Sequence, residues 1–203
     1  KDNLGWMQTG DIVIQQSATK EATTEATKET TPRTANTNTQ NTATQTATKN
    51  VKQLGQFTTE KPEIKTSVNG NTALNSTKYA NKTFTVGKQR TQGDNTYVLI
   101  QNNKDNTPIG WVNSKDINTR NLSQSAAKSG NYTVKPTNNG LYAVPWGSKA
   151  QKLDDLNNLQ QNDFKASKSL HVDKDEYVYG IVNNKTGWIA ANDLNAKHHP
   201  TAT

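Results

Sequence analysis

Cysteine is absent from this sequence, so disulfides, thiolate metal sites and cysteine nucleophiles are excluded. Histidine is scarce, with only His171, His198 and His199, and no His/Asp/Glu set shows metal-ligand spacing. Catalytic residues, metal ligands and cofactors are therefore expected to be none. Asp154-Asp155 is a paired carboxylate, but adjacent acids cannot flank a glycosidic bond. No apolar run approaches a membrane span, and Lys1-Asp2-Asn3 does not open a signal peptide. Any export signal is expected upstream, in a longer parent chain.

Large apolar side chains are missing from Gln15 to Asn50, where 13 of 36 residues are Thr. Such a segment cannot bury enough surface to offset its ordering entropy, so 15–50 reads as a disordered linker. Apolar residues make up 30% of the whole, and the folded mass is expected from Val51 onward. The net charge of +7 divides unevenly: 0 over 1–50 (five Lys/Arg, five Asp/Glu), +5 over 51–122 (ten, five) and +2 over 123–203 (nine, seven). An excess confined to the folded part suits a polyanionic partner: teichoic acid, nucleic acid, an anionic membrane or an acidic glycan.

What is present is a repeat. Gly5-Trp6, Gly110-Trp111 and Gly187-Trp188 each precede an apolar residue, three variable positions, an Asp (Asp11, Asp116, Asp193) and an aliphatic residue. Phe84 to Lys88 matches Phe164 to Lys168, and Tyr97-Val98 matches Tyr177-Val178, at an offset of 80; the tryptophans are 77 apart. The first copy thus carries three extra residues in the turn before Pro108. Gly70 and Gly140, 70 apart, imply a ten-residue insertion in the second copy near Trp146 to Asn158. Short β-rich runs ending in Asn-rich turns predict hairpins, and several such strands per copy predict a small barrel, because closure protects sheet edges. Leu153, Leu156 and Leu159 fit either one helical turn or a loop pinned to the barrel.

The expected organisation is the end of a preceding repeat (1–14), the linker (15–50), a first repeat (51–122) and a second with a short polar tail (123–203). These Gly-Trp units, with the Thr/Ala/Asn linker and the phrase from Tyr177 to Leu194, resemble the GW repeats of staphylococcal bifunctional autolysins. The resemblance implies an all-β fold of two tandem SH3-like barrels, placement at the cell surface of a Gram-positive bacterium, and noncovalent attachment to the peptidoglycan envelope. It also implies lipoteichoic acid as ligand, membrane contact only through that polymer, and hydrolysis in amidase and glucosaminidase domains outside this sequence.

A polyglycerol phosphate needs spaced cations more than a deep pocket. Lys88, Arg90 and Lys104 in the first repeat, and Lys168 and Lys185 in the second, are the candidate phosphate partners, with Lys88/Lys168 and Lys104/Lys185 at matching positions. Tyr97, Trp111, Trp146, Tyr177 and Trp188 are candidate aromatic walls. Trp111 and Trp188 are read foremost as core residues, with their glycines permitting close backbone approach; the repeated Asp is read as a turn cap. Alternatives are an adhesin for host matrix proteins or heparin-like glycans, and an aromatic groove for peptidoglycan peptides. No stacking motif favours nucleic acid.

Overall fold

A computed structural model describes residues 46–197 except 72, 127 and 161. The Trp6 copy, nearly all of the Thr-rich segment and the His198-His199 tail lie outside the described residues. The described part is all-β, with short helical turns at its corners.

In the first repeat β1 (Thr46–Phe57), β2 (Thr83–Gln92), β3 (Asn95–Gln101), β4 (Pro108–Asn113) and β5 (Ile117–Gln124) curl around Ile64, Phe84, Val86, Val98, Ile100, Val112 and Ile117. In the second, β6 (Gly130–Val134), β7 (Gly140–Tyr142), β8 (Lys152–Asp155), β9 (Asp163–Val172), β10 (Asp175–Val182), β11 (Lys185–Ala190) and β12 (Leu194–Ala196) enclose a separate core. Val134, Leu141, Leu156, Leu159, Phe164, Val178, Val182 and Ile189 build it. All pairings are antiparallel, in the order β4-β3-β2-β1-β5-β9-β10-β11-β7-β8, with β6 bridging β9 and β12. Strand β1 starts at Thr46, so residues 46–50, assigned to the linker on composition, pair with Lys88 to Gln92. Alternating small polar residues can extend an existing strand even when they cannot build a core.

The repeat offsets hold at the level of register. Lys88 pairs with Leu99 and Arg90 with Tyr97; Lys168 pairs with Tyr179 and Leu170 with Tyr177. Each long strand is bulged at the same place, Gly87 in one and Ser167 in the other, where one residue is left out of the ladder. The β10–β11 turn is Asn183-Asn184, both at positive φ (48° and 59°), a geometry asparagine tolerates.

The upstream match of Gly70 with Gly140 is not structural. Trp111 pairs with Lys65, exchanging 2.8 Å backbone hydrogen bonds, and Trp188 pairs with Tyr142. The counterpart of Tyr142 is therefore Lys65, 77 residues away like the tryptophans, and no ten-residue insertion exists. Within the Leu triplet, Leu156 and Leu159 sit on one helical turn, α1 (Leu156–Leu159), and are fully buried, while Leu153 is 44% exposed.

Strand β5 belongs to both repeats: Ile117 to Asn121 pair with β1, and Leu122 to Gln124 pair with β9. A second junction forms where the loop after β7 meets the first repeat. Gln56 Nε2 and Thr83 Oγ1 each donate to the Trp146 carbonyl at 2.8 Å, and the Arg120 guanidinium lies 4.5 Å from the Trp146 ring centre. Arg120 also reaches Asp175 at 3.1 Å and Asp173 at 3.9 Å.

Candidate ligand-binding faces

The two Gly-Trp dipeptides explain themselves locally. A Cβ on Gly110 would lie 2.8 Å from the Lys65 carbonyl oxygen, and one on Gly187 would lie 2.7 Å from that of Tyr142. Each glycine faces inward, where a crossing segment passes too close for any side chain. Strand alternation then turns the following Trp outward.

For Trp111 this replaces the reading as a core filler, while Trp188 is buried, on the side of its strand away from the aliphatic cluster. Trp111 is half-buried, and Trp188, only 8% exposed, stands against Tyr179 at 5.1 Å.

Cross-strand rows gather most of the candidate residues on that outer face. In the first repeat one row runs Lys88, Leu99, Trp111, Lys65, and the next runs Arg90, Tyr97, Asn113. The second repeat aligns Lys168, Tyr179, Trp188, Tyr142, flanked by Leu170, Tyr177, Ala190. The Lys168 ammonium lies 4.6 Å from the Tyr179 ring centre and 5.4 Å from that of Trp188, a cation held against two rings while its side chain stays exposed. Lys88 is exposed and, among the described residues, makes no ion pair. Arg90 is half-buried, its Nε sequestered without a hydrogen-bond partner among the described residues.

Three candidates fall elsewhere. Lys104 is exposed on the six-residue turn before β4. Lys185 is committed to Asp154 at 2.6 Å, which accounts for the carboxyl of Asp154 being held down to about 2: the Lys185 hydrogen bond acts first, then that of Asn158. Asp155 bonds Lys152, so neither member of the acidic pair is free. Trp146 lies on the inter-repeat loop in the left-handed region (φ 51°), a conformation costly for an aromatic residue and kept by the contacts from Gln56, Thr83 and Arg120.

Grooves open at equivalent positions beside the two tryptophan rows. In the first repeat Glu63, Lys65, Tyr97, Trp111, Asn113 and Asp116 line a cavity of about 230 Å³. In the second, Asn139, Gly140, Tyr142, Trp146, Gly147, Tyr177, Ala190 and Asp193 line one of about 160 Å³. Burial, then the charge of Asp175, pushes the Tyr177 phenol up. The turn after β4 is capped by Asn113, which accepts from the Lys115 amide, rather than by Asp116; Asp193 is buried and accepts from Asn139 at 2.8 Å.

Sequence reasoning did not single out Arg120, Asn139 or the second role of Asp193. Their partners lie between 26 and 55 residues away, and only folding brings them together. Among the described residues no group of three or more His, Asp or Glu could hold a metal, and no helix is long and apolar enough to cross a membrane.

Comparison with known proteins agrees with this repeat architecture. A family model described as the GW (Gly-Tryp) dipeptide domain matches residues 35–118 and 123–195. A bifunctional autolysin of Staphylococcus epidermidis is 52% identical over 147 residues, covering 72% of this chain and 11% of that protein. A bifunctional autolysin of Staphylococcus aureus strain N315 is 45% identical over 155 residues, covering 76% of this chain and 12% of that protein. The chain thus spans about a tenth of the length of the relatives it matches. A solved chain from Listeria monocytogenes aligns with a TM-score of 0.43 at 24% identity, over 73% of this chain and 64% of that one. Register, glycine packing and family match agree: the chain belongs to the GW dipeptide domain family, as a non-catalytic binding-repeat region of the kind found in autolysins.

Proposed function

We propose that this chain is a wall-targeting module that holds an exported peptidoglycan hydrolase on the Gram-positive surface by binding lipoteichoic acid or a related polyglycerol phosphate. The observation that carries the reading is the duplicated outer face. A lysine that makes no ion pair among the described residues heads each row, Lys88 or Lys168, and leads onto Trp111 or Trp188 at the same register. Phosphates spaced along a flexible polymer can pair with the cations while glycerol carbons lie on the rings. Tandem faces make the second contact intramolecular, so two weak sites give useful avidity.

The 203-residue chain, titrated with purified lipoteichoic acid across a salt series beside heparin, tests this. Selective binding that weakens steeply with salt supports it. Equal binding to both polymers reduces the surface to a generic cation array. Retention on sacculi stripped of teichoic acid, insensitive to salt, would hand the function to peptide recognition in the grooves.

A further inference from the structure

We infer that the groove of the second repeat is an ammonium-binding cage, taking a primary or quaternary alkylammonium group between Tyr142, Trp146 and Tyr177 with Asp193 as counter-ion. Three aromatic side chains and one carboxylate converge on a cavity of about 160 Å³, the scale of a small ammonium headgroup rather than of a folded partner. Aromatic faces attract cations through the ring quadrupole, most strongly where water is thinned out, and a nearby carboxylate adds to that attraction.

The sibling groove supports the assignment independently. Where the second repeat has Tyr142, the first has Lys65 at the same backbone position, paired to the tryptophan strand in the same way. Lys65 lines that groove together with Tyr97, Trp111 and Asp116, and its ammonium stands 3.4 Å from Glu63. The first repeat therefore supplies its own ammonium beside the aromatic and acidic walls, whereas the second has exchanged it for a third ring and left the space open. Gly140 and Gly147 keep it open: a Cβ on Gly147 would meet the Tyr142 ring at 2.8 Å.

Two neighbouring cations are already engaged by carboxylates. Arg120, which stacks on Trp146, is paired with Asp175 and Asp173, and Lys152 is engaged by Asp155. Among the described residues the Asp193 carboxylate accepts from Asn139 and makes no ion pair. The inference does not depend on anionic-polymer binding; a polymer bearing both phosphate and amine would use both features.

The test is an NMR titration of the 203-residue chain with choline and with ethylammonium, against the neutral choline isostere 3,3-dimethylbutan-1-ol, at fixed ionic strength. Ammonium-specific shifts should centre on Tyr142, Trp146 and Tyr177, with the isostere binding about tenfold more weakly. Preference between choline and ethylammonium distinguishes a quaternary headgroup from a primary amine as the natural source. Tyr142→Lys, which copies the first repeat, should abolish the shifts, while Tyr142→Phe retains them. The reciprocal Lys65→Tyr should create a second ammonium site in the first repeat, a gain that no misfolding can imitate. Equal binding of ammonium and isostere, or shifts away from these three rings, would overturn the assignment, whatever lipoteichoic acid does.

Discussion

At the scale of single residues, the Gly-Trp pair divides labour between the two faces of one strand. The glycine is demanded by backbone crowding inside, so Gly187→Ala should destabilise the fold by about 1–3 kcal/mol through overpacking, read as a lower denaturant midpoint at unchanged slope. The outward cations are not equivalent. Lys168 spends its charge on rings and solvent, Lys185 on Asp154. Lys168→Ala should weaken polyanion binding and lower the salt slope by about one, whereas Lys185→Ala should leave both unchanged. The second substitution has its own signature. The carboxyl of Asp154 is depressed in the folded state, so the pair's stabilisation is present above the ordinary Asp range near pH 4 and is lost as pH falls toward 2. In Lys185→Ala an NMR pH titration should find the Asp154 pKa raised toward its ordinary value.

At the scale of elements, α1 shows how a short helical turn can plug a small sheet. Leu156 and Leu159 are fully buried against Phe164 and Leu141, while the turn itself is too short to persist in isolation. Leu156→Ala should cost about 2–5 kcal/mol, the range for emptying a packed leucine site, measurable by urea unfolding. Strand β5 is the other element with a double duty, because its two halves pair with different repeats. The repeat boundary at Leu122/Ser123, placed by sequence matching, falls inside this continuous strand.

At the scale of the whole molecule, the described repeats are joined twice, through β5 and through Arg120 on Trp146. Such a joint fixes the spacing of the two outer faces, which matters for avidity because a second contact is gained only if the geometry allows both at once. Arg120→Ala should leave each core folded but loosen the pair. Small-angle scattering should then show a broader distance distribution, and the double-mutant cycle with Trp146→Ala should give a coupling of about 1 kcal/mol. A distribution identical to the parent chain would mean that β5 and the Gln56 and Thr83 hydrogen bonds set the geometry without Arg120.

Much of this was written in the order of residues. Paired β-formers with asparagine turns, a phenylalanine and a lysine at a fixed offset, and the recurring Gly-Trp pair determined the strand types and the duplicated register, because hairpin contacts are local and their periodicity survives in the chain. Composition likewise confined the cores to the region after Val51. What only the tertiary structure decided were contacts between distant segments: Lys65 as the counterpart of Tyr142 in place of the Gly70–Gly140 match, tryptophans turned outward by inward glycines, Lys185 withdrawn into an ion pair, and Arg120 carried across to Trp146. Those depend on which backbone crosses which, and nothing in the local pattern of residues encodes that crossing.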